Sequence, residues 1–175
     1  MKKNVIKFGL IGGAIVSTFM AITMPFIDEN TNMAHSELLG YTTMVVALST
    51  IFIGVRNYRN KELNGTISFG KAFTVGLYIA LIASTMYVTT WMVISDLFIP
   101  NFMDIYVTQT VEKMQTAGSS QSEIDEQLKS MDDMIKMYKN PFFKALITYA
   151  EILPVGLLIS LISAVVLKKK EEAIA

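Results

Sequence analysis

The stretch ALITYAEILPVGLLISLISAVVL, residues 145–167, is apolar over almost its whole length but carries one carboxylate, Glu151, and one proline, Pro154. A hydrocarbon core of about 30 Å is crossed by about 20 helical residues, so this stretch is long enough to span a bilayer. An ionised carboxylate in lipid is costly and usually marks a functional or internally paired site. The stretch therefore predicts a transmembrane helix in which Glu151 needs a polar environment.

The composition is that of a membrane protein. Of the 175 residues, 52% are hydrophobic, and they form runs too long for the core of a water-soluble domain. There is no cysteine and one histidine, His35, which removes most metal, haem, iron–sulfur and thiol chemistry. We predict no cofactor, and the lack of a broad basic surface with interleaved aromatic residues predicts no nucleic-acid binding.

Three further stretches meet the required length or come close to it, although Thr42, Thr43, Ser49 and Thr50 dilute the apolar character of the second span. The predicted spans are residues 5–27, 38–55, 72–95 and 145–167. Helices are expected because an open sheet leaves backbone groups unpaired in lipid. We therefore predict an all-α, integral membrane four-helix bundle forming one domain over residues 1–175. The first span follows two lysines, as a signal peptide does, but no small-residue cleavage site follows it, so we expect it to be retained.

Lysine and arginine are concentrated in three segments that lie on one side of the membrane if the chain crosses it four times. The basic groups are Lys2, Lys3 and Lys7; Arg56, Arg59, Lys61 and Lys71; and Lys168, Lys169 and Lys170. The intervening loops carry Asp28, Glu29 and Glu37 and then a mainly acidic segment. By the positive-inside rule, both termini and the loop between spans two and three should be cytoplasmic.

Small residues recur every fourth position on three of the spans. The stripes are Gly9, Gly13 and Ser17; Gly76, Ala80 and Ser84; and Gly156 and Ser160. Such stripes let helix backbones approach closely in membranes. They predict packing within the chain or, alternatively, a homodimer through one stripe.

Residues 102–140 are predicted to form an extracytoplasmic amphipathic helical hairpin between spans three and four. Apolar residues recur at helical spacing on both sides of AGSS, residues 117–120, and the segment ends at Asn140 and Pro141. Its apolar face could pack on the partner helix, on the membrane surface or on another protein.

The connection between spans two and three is short and cationic. Its candidate contact residues are Arg56, Tyr58, Arg59, Lys61 and Lys71. They could bind anionic lipid head groups or a cytoplasmic partner, or they could simply anchor the topology among phosphates.

Glu151 is the candidate intramembrane polar site, with Pro154 beside it and Asp96 at the outer end of span three. Pro154 removes a backbone hydrogen bond, so the helix could kink or begin again there, which would put Glu151 in a first turn. Asp96 is the expected companion of Glu151 in an ion or proton site, and Lys144 is a possible counter-charge. The alternative is a hydrogen-bonded anchor that holds span four under the outer helices.

Three segments together resemble one bacterial family. GYTTMVVALSTIFIGVRNYRNKELNGTISFGKAFTVG, YKNPFF and EILPVGLLISLISAVVLKKK are similar to the domain-of-unknown-function family numbered 4199, seen mainly in Bacteroidetes. The resemblance covers nearly the whole chain. It implies a small multi-span protein of the bacterial inner membrane and supplies no activity.

The sequence favours a non-catalytic accessory or scaffold subunit of a membrane complex over an enzyme. The single histidine is isolated in a predicted short outer loop, where a solvated side chain is expected rather than a general base. Besides the lipid bilayer, the expected partner is another membrane protein or a second copy of the chain. The alternative is a small oligomeric transporter or channel that uses Glu151 and Asp96.

Overall fold

The computed structural model describes residues 1–26 and 33–169, with the backbone alone at 25 and 33–35. The predicted acidic loop residues Asp28 and Glu29, and the last of the predicted cytoplasmic lysines, Lys170, lie outside the described residues. The helices are α1 (Lys2–Thr23), α2 (Met33–Leu48), α3 (Thr50–Glu62), α4 (Phe69–Leu97), α5 (Phe102–Thr116), α6 (Gln121–Tyr138) and α7 (Pro141–Leu167), with a 3-10 turn at Met24–Phe26.

Within residues 1–26 and 33–169, four helical rods are long and apolar enough to cross a membrane. They are Lys2–Thr23, Ser36–Glu62, Phe69–Leu97 and Pro141–Leu167. Large apolar side chains cover their outward faces, as at Leu158 and Val166 on α7, which are 57% and 61% exposed. Such a surface needs lipid rather than water around it. The prediction of an all-α membrane bundle is confirmed, and the chain is a multi-pass membrane protein.

The second span extends well beyond the predicted residues 38–55. It runs through α2 and α3 as one rod with a local distortion at Ser49, whose hydroxyl donates to the Val46 carbonyl at 2.6 Å. The Thr50 hydroxyl likewise donates to the Ala47 carbonyl at 2.7 Å. Serine and threonine hydroxyls that bond back to the preceding turn commonly bend helices in this way. The rod also takes in His35 at the backbone level, so the interpretation of that residue as part of a loop is wrong.

The bundle is organised around α4, which packs against α1 on one side and α7 on the other. The predicted small-residue stripes lie at these contacts within the chain. A Cβ built on Gly76 lies 3.1 Å from the Ser160 side chain, and one built on Gly156 lies 2.9 Å from the Cβ of Ala80. Since hydrocarbon gives no hydrophobic driving force between helices, this close approach supplies the packing energy that joins α4 to α7.

The stripe on α1 faces the other side of α4. Cβ atoms built on Gly9 and Gly13 come within 2.7 Å of Ile82 and 2.5 Å of Met86. The Thr90 hydroxyl donates to the Ser17 hydroxyl at 2.9 Å, one turn further along. The small-residue pattern of α1 therefore continues as a polar contact toward the end of the bundle that carries α5 and α6.

Two glycines outside the predicted stripes also mediate helix contacts. Gly12 faces Thr50, and Gly54 faces Ile79 and Phe8. These contacts bring α3 against α1 and α4, although the second span lacks a stripe with four-residue spacing. The second span therefore packs within the bundle through α3.

The helices α5 and α6 form a hairpin that joins α4 to α7. Its turn contains Gly118 in the left-handed region at φ +80°, a conformation that favours glycine. Ser120 then begins α6 with a capping box, in which the Glu123 carboxylate accepts from the Ser120 backbone N–H at 2.7 Å. This bond to the ionised form lowers the pKa of Glu123. The predicted boundary at residues 140 and 141 holds too, because the Asn140 side chain caps α7 and Pro141 occupies its first turn.

The end of the bundle that carries α5 and α6 is the hairpin end. The opposite end is the basic end, which carries Arg56, Arg59, Lys61, Lys71 and Lys168.

The Gly156 contact should be sensitive to any side chain larger than hydrogen. We expect Gly156→Leu to lower stability by about 1–3 kcal/mol, since overpacking forces the two helix backbones apart. Gly70→Leu is the matched control, because a Cβ at Gly70 meets no atom within 4 Å. Thermal unfolding in detergent measures both variants, and equal melting temperatures for the two would contradict this account of the α4–α7 contact.

Candidate functional site

A cavity of about 460 Å³ lies at the hairpin end, between α2, α4, α7 and the hairpin. Its size falls within the range of small-molecule sites, about 300–1,000 Å³. The lining residues are Met24, Ser36, Glu37, Gly40, Tyr41, Tyr87, Trp91, Phe102, Met103, Tyr106, Met134, Tyr138, Ile147, Thr148 and Glu151. Most of this lining is aromatic or apolar, and it includes two carboxylates.

Glu151 reaches this cavity from α7. Its side chain is exposed, whereas the flanking Thr148 and Ile152 are buried in the bundle. Glu151 is one of the residues that line the cavity. The Tyr87 hydroxyl lies within hydrogen-bonding reach of the carboxylate, and Glu37 is near enough to interact with it electrostatically. The cavity thus supplies the polar environment that an acid in this span requires.

Pro154 does not restart the helix. The helix α7 is continuous from Pro141 to Leu167, with Pro154 inside it and exposed. Glu151 is therefore two to three turns into α7, beyond the reach of the positive helix terminus. The hypothesis that a new N-terminus stabilises the Glu151 charge is wrong.

Asp96 is engaged with another partner. The Lys144 ammonium contacts the Asp96 carboxylate at 2.5 Å and the Ser95 hydroxyl at 3.3 Å. This pair lines a second, smaller pocket that shares Phe102, Met103 and Tyr138 with the large cavity but does not include Glu151. The two predicted companions, Glu151 and Asp96, therefore line different pockets, and Lys144 pairs with Asp96 rather than with Glu151.

An aromatic cluster separates the ion pair from the cavity. The Trp91 indole N–H donates to the Tyr138 hydroxyl at 2.7 Å, and Phe102 meets Trp91 edge-on with ring centroids 4.9 Å apart. The Lys144 ammonium lies over the Tyr138 ring, 5.3 Å from its centroid. Burial raises the pKa of Tyr138 to about 12, so its hydroxyl stays protonated at neutral pH. The cluster holds the end of α6 against α4 and α7.

Sequence reasoning missed most of the cavity. None of Tyr41, Tyr87, Trp91 and Tyr106, which all line the cavity, is among the site residues that the sequence predicts. The signal available was the spacing of Tyr87 and Trp91, which are four residues apart and so share a helix face with buried residues. The orientation of this face toward Glu151 depends on how α4 packs against α7, which the sequence alone does not reveal.

The predicted contact residues at the basic end divide into exposed and engaged groups. Arg56, Lys61 and Lys71 are exposed. Arg59 donates to the Leu167 carbonyl at 3.2 Å and so satisfies the end of α7. Tyr58 is only 5% exposed, because it faces the bundle from the last turns of α3, and it cannot contact a head group or partner as predicted.

Metal binding finds no support in the described ranges. Among the side chains that the structure describes, no three histidine, cysteine, aspartate or glutamate residues are placed together to hold an ion.

Comparison with known proteins gives one match. The family described as "Protein of unknown function (DUF4199)" matches residues 7–169, which is most of the chain. No curated protein and no solved structure matches it.

The Asp96–Lys144 pair should contribute modestly to stability. The Asp96 side chain is 59% exposed, so water screens the pair, and a coupling of about 1 kcal/mol or less is expected. A double-mutant cycle with Asp96→Asn and Lys144→Met, followed by thermal unfolding in detergent, measures that coupling. A coupling free energy of several kcal/mol would instead show that this pair, rather than the helix packing, holds the hairpin end together.

Proposed function

This chain belongs to the DUF4199 family of proteins of unknown function, and on that premise we propose that it is a non-catalytic accessory protein of a membrane complex that binds a small molecule in the hairpin-end cavity. The observation that carries the proposal is the cavity itself, about 460 Å³ in volume and lined by Glu151, Tyr87 and Trp91. Pockets of this size with a few convergent polar groups are the usual form of a binding site.

Several features support binding without chemistry. The Thr148 hydroxyl in the cavity wall donates to the Lys144 carbonyl at 2.8 Å, so it is committed to the helix backbone. The Tyr138 hydroxyl accepts from Trp91 and stays protonated. Neither group is paired with a base in the way that an activated nucleophile is.

The packing beneath the cavity favours binding over passage. From Glu151 toward the basic end, the centre of the bundle is filled by side chains with no exposed surface, among them Ile152, Ala80, Ile51 and Val75. Asp96, which a transport route through Glu151 was expected to use, is paired with Lys144 in a separate pocket. A transporter or channel that works as an oligomer is therefore the weaker candidate.

The proposal places the protein in the bacterial inner membrane with its basic end in the cytoplasm. The support is the distribution of charge: Arg56, Lys61 and Lys71 are exposed at one end, whereas the hairpin end carries the acidic exposed face of α6. Partner contact would then use the exposed charged residues at either end, and the partner would be another membrane protein or a second copy of this chain.

The topology is tested with single engineered cysteines, because the chain has none of its own. We expect an impermeant thiol reagent to label Ser119→Cys in intact cells and to leave Asn64→Cys unlabelled, since basic loops are retained in the cytoplasm. Labelling of both after permeabilisation is the control. The reverse pattern in intact cells would overturn the orientation.

Binding in the cavity is tested with three ligands of one shape: choline, its neutral isostere 3,3-dimethylbutan-1-ol, and the anion 3,3-dimethylbutanoate. At a concentration about tenfold above its Kd, a bound ligand should raise the melting temperature by about 2–5 °C. We expect at least one of the three to do so in the protein purified in detergent, with a change in the emission of Trp91, the single tryptophan.

Gly40→Phe and Gly70→Phe are the matched variants for this experiment. A Cβ at either glycine meets no atom within 4 Å, but only Gly40 lines the cavity. Gly40→Phe should abolish the ligand-induced shift by filling the site, whereas Gly70→Phe should keep it. If none of the three ligands acts, or if Gly40→Phe responds like the unaltered protein, the proposed function fails.

A further inference from the structure

The charge of the cavity wall is entirely negative among the described residues. Glu37 and Glu151 line it, and no lysine, arginine or histidine does so. The ion pairs of the described ranges join other groups: Lys144 with Asp96, Lys136 with Asp133, and the Met1 amino group with Glu62. None of these pairs involves Glu37 or Glu151, and the described side chains give the two cavity carboxylates no cationic partner.

Lys144, the nearest described lysine along α7, cannot serve as that partner in this arrangement. Its ammonium contacts Asp96 at 2.5 Å and Ser95 at 3.3 Å and lies over the outer part of the aromatic cluster, at the Tyr138 ring. These three contacts satisfy it in the neighbouring pocket. The two cavity carboxylates, Glu37 and Glu151, can therefore attract a positively charged ligand.

Aromatic rings of the described residues form a large part of the remaining wall. Six line the cavity: Tyr41, Tyr87, Trp91, Phe102, Tyr106 and Tyr138. Phe102 stacks with Tyr106 and with Tyr138, at centroid distances of 6.5 and 6.1 Å, and meets Trp91 edge-on at 4.9 Å. Because these rings hold one another in place, the wall is formed before a ligand arrives. Ring faces attract cations, tryptophan most strongly.

The same lining argues against other classes of ligand. A phosphate or carboxylate would meet two acids and no basic group. For a hard metal ion, the described residues provide no group of three metal-binding side chains. A neutral apolar molecule would leave the Glu151 carboxylate without a counter-charge. An organic cation satisfies both the acids and the rings.

We propose that the hairpin-end cavity binds the ammonium group of an organic cation, with Glu151 and Glu37 as counter-charges and Trp91 and the tyrosine rings as its aromatic wall. The inference rests on the proposed function, since it names the ligand class of the same cavity. The ammonium group could belong to a free amine or to a lipid head group, because the cavity lies where the spans meet the hairpin. Recognition in both cases uses the same carboxylates and rings.

The test compares the three isosteric ligands by titrating the emission of Trp91. Choline should bind about tenfold more tightly than 3,3-dimethylbutan-1-ol, the order of magnitude that one desolvated cation contact supplies, and 3,3-dimethylbutanoate should bind least. Equal affinity for choline and its neutral isostere, or preference for the anion, would overturn the inference while leaving a binding cavity intact. Failure of all three ligands would instead remove the proposed function itself.

Two charge-neutralising variants locate the effect. Glu151→Gln and Glu37→Gln should each reduce the preference for choline over the neutral alcohol several-fold, with binding of the alcohol unchanged. Glu126→Gln, on the exposed face of α6, is the matched control and should keep the preference. The Glu37 variant lies on an exposed position, so it tests the inference even if Glu151→Gln unfolds. Retention of the full preference in both cavity variants would contradict the assignment.

The source of the ammonium group is distinguished in nanodiscs. If a lipid head group enters the cavity, discs of phosphatidylcholine should suppress the response to added choline, and discs of phosphatidylglycerol should not. If the ligand is a free amine, choline should act equally in both. Either pattern supports ammonium recognition, whereas absence of a choline response in both kinds of disc would contradict it.

Discussion

At the centre of the bundle, α4 and α7 approach so closely that one added methyl group does not fit: a Cβ on Gly156 would lie 2.9 Å from the Cβ of Ala80. One turn nearer the basic end, Gly76 meets Ser160 in the same way. Because the helices are antiparallel, each turn forward on α4 corresponds to one turn back on α7. Followed toward the hairpin end, this register places Tyr87 beside Glu151 and then Asp96 beside Lys144. The polar contacts depend on the small-residue contact for their alignment.

The cavity follows from what happens beyond that contact. Small residues bring the helices together in the middle, and larger ones, including Tyr87 and Trp91, occupy the interface toward the hairpin end. The hairpin then lies across this end, with Phe102 from the start of α5 and Tyr138 from the end of α6 both packed near Trp91. Aromatic rings at a helix interface hold backbones further apart than glycine does. The close helix contact at the centre and the larger side chains toward the hairpin end therefore produce a filled core at one depth and an open pocket at another.

The elements that could be predicted from the sequence are those with local causes. Apolar runs indicated the spans, Gly118 and Ser120 marked the hairpin turn, and Asn140 with Pro141 marked the start of α7. The predicted second span ends too early, at residue 55, because Arg56 and Arg59 lower the mean hydropathy of the residues that follow. Long basic side chains can nevertheless extend from a helix end toward water, and the helix continues to Glu62. The site was harder. The pairing of Lys144 with Asp96 rather than Glu151 depends on the register of α4 against α7, and no local pattern in either helix encodes it.

Two acids about two turns apart along the α4–α7 contact thus have different surroundings, and the difference bears on what each does. Asp96 has an ammonium partner within the chain, so its charge is compensated as soon as the hairpin end assembles. Glu151 has a tyrosine hydroxyl and a second carboxylate nearby, an arrangement that leaves its charge uncompensated by the described residues. A structural anchor would be expected to have a charge partner within the chain, as Asp96 does. An acid kept unpaired beside an aromatic cavity is better explained by a positive charge that arrives from outside the chain.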